Sequence, residues 1–178
     1  GAWICEYPDG LRLLKEYRGT IKRLEFEDAV DLFREVIEAS READLLLFET
    51  FTDLYELKAA LLAAREVCAL PIVAMMTFDE GGRMLTGADV LSAVTVAESL
   101  GAEAVGFNCG LGPEQMLALL PELRAAAGVP LAFNPNAGLP VIDAQGHAHY
   151  SMSPNEFAAA MRRLVECGAR VVGGCCGT

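Results

Sequence analysis

The stretch EAVGFNCG, residues Glu103 to Gly110, decides the fold. Its apolar part is too short for a helix and shows no polar alternation, which suits a strand covered on both faces, as parallel sheets require. A helical pattern stopped by Gly101 precedes it, and another stopped by Gly128 follows. Strand and helix alternating in this way form the βα unit. Working outward from Phe26, the same unit recurs, with apolar runs from Asp44 to Glu49, Pro71 to Thr77, Pro130 to Asn134 and Arg170 to Cys175 on either side of the first.

Between the runs, Ala29, Val30, Leu32, Phe33, Val36 and Ile37 repeat at helical spacing, as do Leu54, Leu57, Ala60, Leu61 and Ala64. These stripes are expected to be core. Asp53, Thr86 and Ser153 stand where N-caps belong, and Ser153 with Pro154 and Glu156 makes a capping-box pattern. Gly168 marks another helix stop. Trp3 to Glu6 reads as a strand end, and Tyr7 to Leu24 as a loop with one short helical stretch. The pattern is α/β, and the expected fold class is the (β/α)8 TIM-barrel type, incomplete, or an open sheet of the same units. A closed barrel takes eight strands and typically about 250 residues. Five clear runs and room for one more imply an open sheet or a barrel segment.

Composition narrows the function classes. With 53% hydrophobic residues the chain can bury a sizeable core. Twenty-five acidic residues against 14 basic ones argue against a nucleic-acid surface, which needs clustered cations to meet phosphates. No apolar run reaches the roughly 18 to 20 residues that span a bilayer, and Gly1 begins no signal-peptide pattern, so the expected setting is cytoplasmic and away from membranes. Six cysteines are too few for a disulfide scaffold at this length. Cys5, Cys68 and Cys167 are weak candidates for chemistry, the last two lying near helix ends where an idle thiol is usual.

In parallel α/β folds, functional groups collect where strands end at their carboxyl side. Glu49, Thr77, Asn108 with Cys109, Asn134 with Asn136, and Cys175 with Cys176 all fall there. Zinc favours thiolates, and a catalytic zinc takes three protein ligands with one position open. Cys109, Cys175 and Cys176 meet that count. Neighbouring side chains on a regular strand point to opposite faces, so Cys175 and Cys176 can share a metal only if the backbone turns. Gly173, Gly174 and Gly177 permit the turn. Taken singly, each cysteine is more simply a small buried hydrophobe; taken together, a vicinal pair bracketed by glycines plus a third thiol is not. A redox pair is the other chemistry, but adjacent cysteines close only a strained ring.

The segments GFNCG (Gly106 to Gly110) and GGCCGT (Gly173 to Thr178) resemble the signatures of the zinc-dependent homocysteine S-methyltransferases. ADLLLFETFTDLYELKAAL (Ala43 to Leu61) looks like the fourth strand and helix of that barrel. PNAGLP (Pro135 to Pro140) resembles the homocysteine domains of the cobalamin-dependent methionine synthases. The resemblance implies that Cys109, Cys175 and Cys176 ligate Zn2+ and that Glu49 meets the ammonium group of homocysteine. It implies that Asn136 is an oxygen ligand until substrate arrives, and that Gly106 and Asn108 shape the pocket. It also implies methylcobalamin as donor on a separate domain or protein, with cobalamin-binding and folate-binding domains as partners; S-methylmethionine or betaine are the alternative donors. Nothing here resembles the Asp-Gly strand that opens the family's barrel. Residues 1–178 are therefore expected to span about strands 3 or 4 to 8, without the first two βα units and the final helix.

Two other readings compete. One is a zinc module without catalysis; the other is a barrel enzyme whose GGCCGT loop binds phosphate through backbone amides. For Asn136 the plainer role is a turn residue, and for Glu49 a charge leading the next helix. His147 and His149, in a hairpin-like polar stretch from Asp143 to Tyr150, are left out of the site.

Overall fold

The computed structural model describes residues 25–178. The readings of Cys5, Trp3 to Glu6 and Tyr7 to Leu24 lie outside the described residues. In chain order the elements are α1 (Phe26–Ala39), β1 (Leu46–Phe51), α2 (Leu54–Val67), β2 (Ile72–Met76), α3 (Val90–Ser99), β3 (Ala104–Asn108), α4 (Pro113–Ala126), β4 (Leu131–Asn134), the short strands β5 (Val141–Ile142) and β6 (Ala148–His149), α5 (Pro154–Glu166) and β7 (Ala169–Val172). One parallel sheet runs β1-β2-β3-β4-β7, and β5 with β6 forms a separate antiparallel hairpin. The alternation read from the sequence is thus a five-stranded arc of a β/α barrel.

Each strand has a helix-facing row and an opposite row, because side chains alternate. Leu46 and Phe48, Ile72, Ala74 and Met76, Val105 and Phe107, and Phe133 join one core with Leu57, Ala60, Leu61 and Ala64 of α2 and with Val90, Val94 and Leu123 of the next helices. Phe107 meets Phe78 and Phe133 edge-on, at centroid distances of 4.9 and 5.7 Å. The other row is narrow. A Cβ on Gly106 would run into the carbonyl of Ala132 on β4, so close strand approach accounts for that glycine.

Several boundaries differ from the sequence reading. The first run becomes strand at Leu46–Phe51 rather than Asp44 to Glu49, because Phe51 still pairs with Met76 beyond an irregularity. The last ends at Val172 rather than Cys175, since Gly173 N donates the final ladder bond to Phe133 O (3.0 Å) and the chain then turns. Thr86 is not an N-cap: it sits in a turn closed by Gly87 N on Met84 O (2.8 Å), and Asp89 caps α3 by accepting from Ser92 N (2.8 Å). Asp53 and the Ser153–Glu156 capping box act as read. Of the α1 stripe only Val30 and Ile37 are buried, and Val36 is exposed, because α1 packs mainly on α2 and meets the sheet through Phe33 against Phe51, at a centroid distance of 5.9 Å. Coverage on both faces holds for β3. Leu47 on β1 and Val171 and Val172 on β7 are exposed, each of these strands having one neighbour among the described residues. No helix among the described residues is long and apolar enough to cross a membrane.

Candidate metal centre

Cys109, Cys175 and Cys176 converge at the carboxyl rim of the sheet, their sulfurs all within 4.8 Å of one another. The Sγ of Cys176 lies 3.8 Å from that of Cys109 and 3.9 Å from that of Cys175. These separations are far beyond the ~2.05 Å of a disulfide, and the thiols are free. Sulfurs 2.3 Å from a tetrahedral zinc stand about 3.8 Å apart, so the trio fits that ion's donor set and spacing. Without a cation Cys175 resists ionisation. Burial, then the neighbouring Cys109 and Cys176, push the Cys175 thiol up to about 12.

Local backbone geometry makes the convergence. After β3, Cys109 takes a left-handed φ of 57° and Gly110 one of 68°, and Leu111 N donates to Cys109 O (2.6 Å) around that glycine. Cys109 N donates to Asn134 O (3.1 Å), which ties the turn to β4. After β7, Cys175 N donates to Pro135 O (2.9 Å) and Cys176 N to Asn136 Oδ1 (3.0 Å), while Ala137 N donates to Cys176 O (2.9 Å). Thr178 closes the corner on Cys175 O through its hydroxyl (2.8 Å) and amide (3.3 Å). The turn required of the vicinal pair is present. Hydrogen bonds thus occupy the amides of Gly173, Cys175, Cys176 and Thr178, four of the six that a phosphate loop at GGCCGT would offer.

A second cluster adjoins the thiols. Between Phe48 and Phe51, β1 carries one residue more than β2, and Thr50 absorbs it at a φ of 63°, unusual for a β-branched side chain. The bulge turns both Glu49 and Thr50 away from the helices. Fully buried Asn108 holds Thr50 twice: its Oδ1 accepts from Thr50 N and its Nδ2 donates to Thr50 Oγ1, both at 2.8 Å. Glu49 Oε1 accepts from Asn134 Nδ2 (2.7 Å), and Thr77 Oγ1 donates to Asn108 O (2.9 Å). In a flat sheet β1 and β4 would stand about 14 Å apart, so the Glu49–Asn134 contact records the curl of a barrel.

Every site residue read from the sequence therefore lies at this rim or in the strand beneath it. Asn136 is buried, with its oxygen already on the Cys176 amide. Asn134 and Thr77 stand at strand ends with no role legible in the sequence; Thr77 anchors Asn108 on the neighbouring strand, and Asn134 reaches Glu49 because the sheet curls. Tyr150 was missed altogether. It precedes α5 and its ring lies on Gly177; burial, then the neighbouring Cys176, Cys109 and Cys175, raise its hydroxyl above the usual tyrosine value. His147 and His149 both contact Asp143, at 3.4 and 2.7 Å, on the exposed hairpin and outside the thiol cluster.

Comparison with known proteins agrees with this geometry. The family model described as homocysteine S-methyltransferase matches residues 3–178. The methionine synthase of Mycobacterium tuberculosis (strain ATCC 25618 / H37Rv) is 42% identical over 142 residues, and that of Mycobacterium leprae (strain TN) 40% over 142. Each match covers 76% of this chain and 12% of the relative. The metallated form of the homocysteine methyltransferase MmuM from Escherichia coli superposes with a TM-score of 0.71 at 24% identity, over 97% of this chain and 54% of that one. That likeness shows the barrel fold. The chain belongs to the homocysteine S-methyltransferase family. It spans about an eighth of the length of the methionine synthases it matches and about half of MmuM.

Proposed function

We propose that this chain carries the thiol-activating half of a zinc-dependent homocysteine methyltransferase site, with methionine as product. The observation that carries the reading is the set of three sulfurs, 3.8 to 3.9 Å apart along two of its sides, at the rim of a β/α barrel arc. Cys109, Cys175 and Cys176 would hold the zinc. Bound there, the ion would supply a Lewis acid that keeps the substrate sulfur as thiolate, whereas a free thiol with a pKa near ~8.5 is mostly protonated at neutral pH. Glu49 would take the substrate ammonium, its carboxylate oriented by Asn134. Asn108 would fix the bulge that aims Glu49, Gly106 would leave room beneath, and Asn136 would brace the Cys176 corner or ligate in the absence of substrate. In the transfer, a new S–C bond forms as the donor's bond to its methyl group breaks. The likeness to methionine synthases favours methylcobalamin as donor, with cobalamin-binding and folate-binding domains as partners. A reducing, cytoplasmic setting would keep the thiols free.

The test is to measure bound zinc and its X-ray absorption spectrum with and without homocysteine. One zinc per chain and a fourth sulfur ligand on adding homocysteine are expected. An unchanged three-sulfur site would overturn the catalytic reading and leave a structural zinc module.

A further inference from the structure

Left-handed backbone at Cys109 has to be held in place, because a residue with a Cβ is strained at a φ of 57° and stays there only where its surroundings over-determine it. Backbone bonds do part of this. Cys109 N donates to Asn134 O (3.1 Å), Leu111 N to Cys109 O (2.6 Å), and Asn136 N to Leu111 O (3.0 Å). The remaining anchor is the Thr77 hydroxyl, which donates to Asn108 O at 2.9 Å. The Asn108–Cys109 peptide is thereby gripped from both sides, its carbonyl from the end of β2 and its N–H from β4. Among the described residues, Thr77 is the one side chain that bonds to the backbone of this turn.

Thr77 follows Met76, whose pairing with Phe107 is the last in the β2–β3 register, so its hydroxyl extends the contact between the strands by one bond. Its other groups are engaged as well. Its amide donates to Phe51 O (2.9 Å), and a Cβ on Gly110 would stand 2.9 Å from its Cγ2. The methyl group thus fills the room that Gly110 leaves. Branching at Cβ restricts the side-chain torsion, so seating the methyl also sets where the hydroxyl points. Fixing the Asn108–Cys109 peptide plane fixes the direction in which the Cys109 side chain departs, and with it the Sγ that lies 3.8 Å from that of Cys176. Partners outside a ligand sphere commonly orient the ligands. Resting on the three-cysteine metal reading, we propose that Thr77 is a positioning residue of the metal centre, its hydroxyl clamping Asn108 O so that the Cys109 thiol faces the other two.

T77V keeps a methyl against Gly110 and deletes the donor, whereas T77S keeps the donor and deletes the methyl. Zinc affinity of the whole chain is measured by competition with a chromophoric chelator, and ligand geometry by the visible absorption of the cobalt(II)-loaded chain. T77V is expected to weaken zinc binding by about 10-fold and to alter the cobalt(II) absorption, with the circular dichroism of the metal-free chain unchanged. T77S is expected to keep most of the affinity and the wild-type absorption. Wild-type affinity and absorption in T77V would overturn the proposal, as would a T77S variant weakened as much as T77V. Weaker binding in T77V with an unaltered absorption would mark a stability effect alone and overturn it too. If T77V does not fold, T77A takes its place against T77S. A wild-type chain that binds neither metal is a distinct result, and it would overturn the metal reading itself.

Discussion

The helix-facing side of the sheet and its carboxyl rim are built on opposite terms. On the helix side, Leu57, Leu61, Val94 and Phe107 are packed to 1% exposure or less, and nearby strand backbone pairs in register. At the rim, Thr50 and Cys109 adopt left-handed backbone, fully buried Asn108 satisfies a bulge, and three free thiols crowd together. Positions like Thr50 each cost of the order of 1–3 kcal/mol and persist where surrounding structure over-determines them. The helix side supplies that surplus. Stability and chemistry are thus separated to different ends of the same strands.

Breaking the two regions should give different kinds of loss. Cys175→Ala should abolish stoichiometric zinc binding, read by metal analysis after gel filtration, while the metal-free chain keeps its unfolding midpoint. Leu61→Ala should do the reverse, lowering stability by about 2–5 kcal/mol in urea titrations while the folded fraction still binds metal. If Cys175→Ala destabilised the metal-free chain as much as Leu61→Ala does, the separation would be wrong.

Asn108 sharpens the boundary, because it is buried like the core yet polar like the rim. Asn108→Ala leaves Thr50 N without its acceptor and should cost about 1–3 kcal/mol. It should also weaken homocysteine binding by calorimetry, since Glu49 is aimed from the same bulge, with zinc stoichiometry unchanged. The smallest effects separate two candidate caps. Asp89→Ala should cost about 1 kcal/mol and Thr86→Ala no more than about 0.5, measured by thermal unfolding.

Much of this was legible in the residues. The repeating apolar runs gave the βα order, the Ser153–Glu156 spacing gave a capping box, and the glycine-bracketed Cys175–Cys176 pair with Cys109 pointed to the thiol cluster that the fold brings together. Sequence spacing could not reveal the bulge at Thr50, because one extra residue in a strand changes which face a side chain takes without changing composition. Nor could it join Glu49 to Asn134 or Tyr150 to Gly177, pairs far apart along the chain. Thr86 looked like a cap because hydroxyl residues favour that place, and the turn at Gly87 delayed the helix to Val90.

The sequence by itself determined the element types and the donor atoms, since hydrophobic period and side-chain chemistry are local properties. Tertiary structure alone decided which groups meet around those donors: Glu49 with Asn134, Asn136 with the Cys176 amide, and the Tyr150 ring with Gly177. That choice depends on the curl of the sheet, which brings β1 to β4, and on backbone bonds that seat the Tyr150 segment beside the cysteine corner.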